Sequence, residues 1–201
     1  MFAPPQLFAL VVATSFAAGL NTYATIATLG LLERAGFMSL PPSLDLLGDW
    51  SVIGAALALY LVEFVADKIP VFDLVWNALQ TFVRLPAAAL LAYRATISLS
   101  PGEQLLAAAL GSLVALAAHS GKTAARVAAT PSPEPFSNIA LSLAEDSIAV
   151  FLTWLVGRHP FWAAAIVVAL VATVVMFIRV VVRVVRSAFR NVAGQYVPRI
   201  S

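Results

Sequence analysis

The sequence predicts an all-α protein that crosses a membrane several times, and three observations carry that prediction. Apolar side chains make up 61% of the 201 residues and charged ones only 11%, against about half and about a quarter in a soluble domain. The apolar residues fall in continuous runs of about 20, the length a helix needs to cross a ~30 Å hydrocarbon core. Between the runs stand proline and glycine clusters of the kind that end helices. Six such runs account for the chain. They define a single helical membrane domain over residues 1–182, built of two three-span pseudo-halves, 1–99 and 100–182, followed by a basic juxtamembrane tail over 183–201. The chain has no cysteine, which excludes disulfides, thiolate metal sites and thiol nucleophiles.

The first run, about Leu7 to Arg34, lacks the basic start of a cleavable signal and is too long for one, so it reads as an uncleaved first span. At 1.5 Å per residue it measures roughly 40 Å, longer than the hydrocarbon core, and a tilt, kink or break is expected near Gly19. Gly36 and Pro41-Pro42 end it. The second run, Trp50 to Ala66, carries Glu63, is followed by Asp67, and is closed by Pro70. From Pro70 to Arg84 apolar and polar residues alternate (Asp73, Trp76, Asn77, Gln80), which predicts an interfacial or re-entrant helix before a short third span, Leu85 to Leu99. Ser100-Pro101-Gly102-Glu103 has the form of a helix start, with serine as cap, proline in the first turn and glutamate three residues after the cap. The fourth run, Gln104 to Ala129, follows. Thr130 to Pro135 holds three prolines and cannot be helix; a turn or a cavity-lining stretch is expected there. The fifth run is Ser137 to Val156. The sixth starts at Phe161 and is apolar to Ile178, after which Arg179, Arg183, Arg186 and Arg190 continue its helical register.

Basic residues near span ends set orientation. The tail, with Arg179, Arg183, Arg186, Arg190 and Arg199, is the strongest basic cluster and places the C-terminus in the cytoplasm. Six spans then return the N-terminus to the same side; only Arg158 runs against the scheme. The arginine stripe is expected to contact anionic lipid head groups at the cytoplasmic face, membrane lipids being the predicted partner and nucleic acid not. Homo-oligomerisation is left open. Trp50, Trp76, Trp154 and Trp162 stand near predicted span ends, as in an aromatic belt.

Ionisable residues at membrane depth are functional candidates by default. His119, Lys122 and Arg126 share one helical face at i, i+3 and i+7 and, with Asn21, form a candidate binding set for an anion such as a phosphate group. The alternative is that they snorkel into the interface. Glu63, Asp67, Glu145 and Asp146 could couple transport to protons or a cation, or could simply neutralise those bases in buried pairs. Thr14, Asn21, Thr25 and Thr28 line one face of the first run, either along a pathway or bonded to neighbouring helices. Ala17 to Thr28 can be laid on Ala117 to Thr130 with one gap, so that Asn21 meets Lys122. If each half is a three-span repeat, the repeat is inverted, an architecture common among secondary transporters; alanine-rich helices also align by composition alone. No metal site, cofactor or catalytic residue is expected. His119 and His159 are far apart in sequence, and no acid spacing matches a metal loop. Gly121-Lys122-Thr123 lacks the upstream glycine of a phosphate-binding loop, Leu116 standing in its place. Ser120 is the only nucleophile beside His119, so a membrane hydrolase is not favoured.

Taken as a set, Phe16 to Tyr23, Glu63 to Pro70 with Asp73, Trp76 and Asn77, His119 to Lys122 with Arg126, Thr130 to Pro133, Ser137-Asn138 and Glu145-Asp146 resemble the small multi-pass membrane proteins of the domain-of-unknown-function family numbered 4126. The resemblance runs to about Ile178 and implies a bacterial-type inner-membrane protein of open activity. By looser analogy the halves are similar to small transporters of polyprenyl-phosphate lipids. The function expected is therefore a small secondary transporter or lipid flippase for an anionic, phosphate-bearing substrate. The alternative is a non-catalytic membrane scaffold whose buried charges are structural ion pairs.

Overall fold

Among the described residues every regular element is helical: α1 (Pro4–Leu20), α2 (Thr22–Arg34), a 3-10 segment (Pro42–Gly48), α3 (Trp50–Ala66), α4 (Pro70–Ala95), α5 (Pro101–Ala129), α6 (Pro135–Arg158) and α7 (Pro160–Gln195). The computed structural model describes residues 3–129 and 135–195, without the side chains of 70–74, 127, 129, 135–138, 185 and 188–195. The turn expected at Thr130 to Glu134 and the side chains of Asp73, Arg190 and Arg199 lie outside the described residues; Pro135 opens α6. Three helices are long and apolar enough to cross a membrane: Pro101–Arg126, Ile139–Arg158 and Pro160–Val184. Pro42–Gly48 and Trp50–Ala66, bent by 64°, make a fourth if they form one span. The chain is a polytopic helical membrane protein. The two remaining expected spans are less plain, for a physical reason: the first run is cut in two, and Asn77, Gln80 and Arg84 interrupt the apolar surface of α4.

The first run breaks at Asn21, not Gly19. Asn21 is extended (φ −149°, ψ 104°) and serves both helix ends: its N–H donates to Ala17 O at 2.9 Å, and its Oδ1 accepts from Ala24 N at 2.9 Å as the cap of α2. A side chain that can accept at a helix start makes the break cheap there. Thr22 Oγ1 takes up the freed Ala18 carbonyl at 2.8 Å. Two hydroxyls of this face also bond back to their own helix, Thr14 to Leu10 O at 2.7 Å and Thr25 to Asn21 O at 2.8 Å, rather than to neighbouring helices.

Short as it is, α1 is the centre of the bundle. Of its 17 residues 12 are buried, and it packs against α4, α5, α6 and α7. Small residues allow this. A Cβ on Gly19 would stand 2.5 Å from Ala115 O, so α1 and α5 are in backbone contact. Gly111 of α5 likewise fits against Ala92 and Ala88 of α4, the packing of membrane helices that meet through small side chains. That long interface carries α4 straight through Pro86 and across the boundary expected between Arg84 and Leu85. The proline forfeits one helical hydrogen bond, and packing along α5 holds the helix together. The fourth helix starts as expected: Ser100 N and Oγ both donate to Glu103 Oε2, at 2.9 and 2.6 Å. α5 itself runs unbroken past Lys122, so it does not copy the break of α1.

Two glycines test the packing with opposite signs. Glycine to alanine inside a helix ordinarily stabilises by about 1 kcal/mol. Gly54→Ala, with nothing within 4 Å of the new Cβ, is expected to raise the melting temperature in detergent. Gly19→Ala, which must push α5 away, is expected to lower it by the equivalent of about 1–3 kcal/mol.

Candidate functional site

Four helices bring charge to one place beside the break. Glu63 lies in the last turn of α3 and Asp67 caps it; Arg84 comes from α4; His119, Lys122 and Arg126 come from one face of α5; Glu145 and Asp146 come from α6. All of them are buried. The spacing of His119, Lys122 and Arg126 does put them on a single face, and that face points into the bundle rather than snorkelling to its rim.

Lys122 is the hub. Its Nζ lies 2.8 Å from Asp67 Oδ2, 3.2 Å from Glu145 Oε2 and 3.7 Å from Glu63 Oε1. The Arg126 guanidinium touches the same two oxygens, Asp67 Oδ2 at 3.1 Å and Glu145 Oε2 at 3.0 Å, and also donates to Asp67 O at 3.0 Å. Asp67, Lys122, Glu145 and Arg126 therefore form a closed ring of alternating sign. Glu63 joins that ring to a second pair, accepting from Arg84 at 2.5 Å. Among the described residues, three acids face three bases. A network of this depth must balance in this way, because removing either member of a buried pair strands a charge at a cost of about 3–5 kcal/mol.

Sequence reasoning had Arg84 only as the end of the alternating stretch that starts at Pro70. It is fully buried and stands at i+7 from Asn77 and i+4 from Gln80, both also buried. This repeats the spacing of the α5 triad, and the signal was hidden by a helix boundary drawn between Arg84 and Pro86. Arg84 also donates to Gly19 O at 3.3 Å, a carbonyl near the end of α1. Through its third contact it assigns the state of His119. Arginine only donates, so His119 Nδ1, 2.9 Å from Arg84, accepts; His119 Nε2 carries the proton and donates to Thr81 Oγ1 at 2.8 Å. Thr81 in turn donates to Asn77 O at 3.2 Å. His119 thus orients Arg84 in this structure and is not a third cation of the ring.

The fourth acid stands outside the ring. Asp146 accepts from Asn21 Nδ2 at 2.9 Å and from Tyr60 OH at 3.3 Å, so the break in α1–α2 is tied directly to α6. Tyr60 was not foreseen, since a tyrosine in an apolar run has no distinguishing pattern. Glu63 Oε2, Asp67 Oδ1 and Glu145 Oε1 are buried and accept no hydrogen bond from the described residues. Each ring carboxylate thus keeps one oxygen that can take a proton. The arginines of the tail are separate: Arg179, Arg183 and Arg186 are exposed along α7. No group of three metal-ligating side chains occurs among the described residues.

The family described as Domain of unknown function (DUF4126) matches residues 8–180, a span that contains every group of the site. No curated protein and no solved structure matches the chain.

Truncating Arg84 leaves Glu63 paired only with Lys122, at 3.7 Å. Arg84→Met is expected to destabilise the purified protein by about 3–5 kcal/mol, and Glu63→Gln combined with it to restore much of that loss. Thermal unfolding in detergent of the two single variants and the double variant measures this coupling.

Proposed function

From the premise that the chain belongs to the DUF4126 family, whose description names no activity, we propose that it is a small secondary transporter or lipid flippase that moves an anionic, phosphate-bearing group in step with protons. The observation that carries this reading is the closed ring of Asp67, Lys122, Glu145 and Arg126, buried among apolar helices. A phosphate oxygen has the charge and acceptor geometry of a carboxylate oxygen. It can therefore replace Asp67 or Glu145 at Lys122 and Arg126 without changing what the two bases require. The displaced carboxylate, left in an apolar interior, is then cheapest as a neutral acid, and its second oxygen is already unpaired. One monoanion in and one proton in keep the site neutral, so coupling follows from charge balance. The break at Asn21 adds backbone carbonyls beside the site, as the unwound segments of transporters do. In the inverted-repeat arrangement α1–α2 and α5 are counterparts, one broken at Asn21 and the other continuous at Lys122.

The reading includes a non-enzymatic role, a bacterial inner-membrane location with both termini cytoplasmic, and contact of the Arg179, Arg183 and Arg186 stripe with anionic head groups, each charge worth about 1 kcal/mol at such a surface. A second reading, a scaffold, is favoured by a different observation: Lys122 already has three carboxylates within 4 Å and no exposed side-chain surface.

Reconstitution separates the two. In proteoliposomes given inorganic phosphate or a fluorescent phosphatidic acid, transport by the wild type, and its loss in Lys122→Ala and Glu63→Gln measured on protein that remains folded, is the expected result; each variant strands a buried charge and is expected to melt lower than the wild type under either reading. A wild type that moves neither probe supports the scaffold. Asp67→Asn is expected to keep some transport and lose its dependence on a pH gradient. A reporter fused to the C-terminus is expected to be active only in the cytoplasm.

A further inference from the structure

Asp146 is the one acid of the buried cluster that the ring leaves over, and it lies at a groove. Its carboxylate is held by two neutral donors, Asn21 and Tyr60, and makes no ion pair among the described residues. The charged groups around it are committed elsewhere. Glu63 and Asp67 are spent on Arg84, Lys122 and Arg126, and Lys122 is surrounded by three other carboxylates. Lys68 is turned to its own helix, its ammonium donating to Phe64 O at 2.7 Å and lying over the Phe64 ring. A carboxylate that is 5% exposed and meets Lys122 and Lys68 only at a distance, with no direct ion pair among the described residues, is costly at membrane depth.

The groove runs along α6 beside α3, with a volume of about 540 Å³. Asp146 is at its base. Its walls are Tyr60 of α3 with Leu143, Val150, Phe151 and Trp154 of α6. From Leu143 to Trp154 it extends roughly 16 Å. α2 packs against both α3 and α6, so the helix that starts at Asn21 stands between the two walls. The Phe151 and Trp154 rings lie 6.0 Å apart, and both are exposed. An acid at the foot of aromatic and aliphatic walls has the chemistry that recognises a cation carried on an apolar body: the carboxylate supplies the counter-charge, the ring faces attract the cation, and the walls cover the remainder. Asp146 stands seven residues into the Ile139–Arg158 span, about 10 Å from its start. A strongly hydrated ion would lose its water on the way there, and among the described residues no cluster of three metal-ligating side chains is present to replace it. A cation with spread or shielded charge loses little. An anion is repelled.

We propose that the groove between α3 and α6 is a binding site for a hydrophobic monovalent organic cation, an ammonium or phosphonium on an apolar body, with Asp146 as its counter-charge. The site uses none of the ring's ion pairs and stands independently of the phosphate reading.

The test is titration of the purified full-length protein, in a neutral maltoside detergent, with tetraphenylphosphonium. Saturable binding of one cation per chain is expected. Asp146→Asn should weaken it by at least about tenfold, and dodecyltrimethylammonium should compete where decyl phosphate does not. Val150→Trp fills the groove from an exposed position one helical turn beyond Asp146, and is expected to abolish binding in a protein that melts like the wild type. Unsaturable binding, wild-type affinity in Asp146→Asn or in Val150→Trp, or equal competition by decyl phosphate would each overturn the proposal. Should Asp146→Asn fail to fold, Val150→Trp decides. Failure of phosphate transport in proteoliposomes leaves this binding untouched, so the two readings fall separately.

Discussion

Burying charge in an apolar bundle is permitted only when each charge meets its opposite, and this constraint organises the protein. Among the described residues, six of the ionisable groups on α3, α4, α5 and α6 combine into one neutral network, with Lys122 touching three carboxylates and Arg126 closing the ring. Once the network exists, the helices that carry it are fixed in rotation and in depth. α3 must end with Glu63 and Asp67 facing α5, and α6 must present Glu145 to the same two bases. Apolar packing alone would not set these registers, because alanine and leucine faces slide past one another at little cost in lipid. Ion pairs between specific atoms do.

The break in the first run serves the same end by a different route. A continuous helix would direct all its carbonyls along its own axis. Ending α1 at Leu20 frees the Gly19 carbonyl to accept from Arg84, and starting α2 at Asn21 turns an amide toward Asp146. Backbone and side chain of one short segment thus reach both the neutral network and the surplus acid. Gly19 keeps its place by absence: without a Cβ, the α1 and α5 backbones meet at Ala115.

Much of this was legible in the sequence, and the reasons it was only partly so are specific. Apolar run lengths located the helices, and α3 spans Trp50–Ala66 as read. The i, i+3, i+7 spacing put His119, Lys122 and Arg126 on one face, and scarcity of charge marked Glu63, Asp67, Glu145 and Asp146. The break was placed two residues early because glycine is the usual weak point of a helix. Here a capping side chain mattered more than backbone freedom. Arg84 was missed because the change from an alternating to an apolar stretch put a boundary between Arg84 and Leu85, where α4 runs on without a break. His119 counted as a potential cation until an arginine that can only donate turned its Nδ1 into an acceptor. Partner identity across the bundle is a long-range property, and no local pattern states it.

The sequence separations within the network have a consequence for how the protein enters the membrane. Glu63 finds Arg84 21 residues later, within a single helical hairpin, so those two charges can neutralise each other as soon as α3 and α4 are inserted. Asp67 has no such neighbour. Its partners are 55 and 59 residues downstream, and Glu145 follows Arg126 by a further 19. During synthesis Asp67 must therefore wait near the interface or in the insertion channel until α5 arrives, and α5 in turn holds a surplus of positive charge until α6 delivers Glu145. The bundle is assembled by successive cancellation of charge, with α6 closing the account.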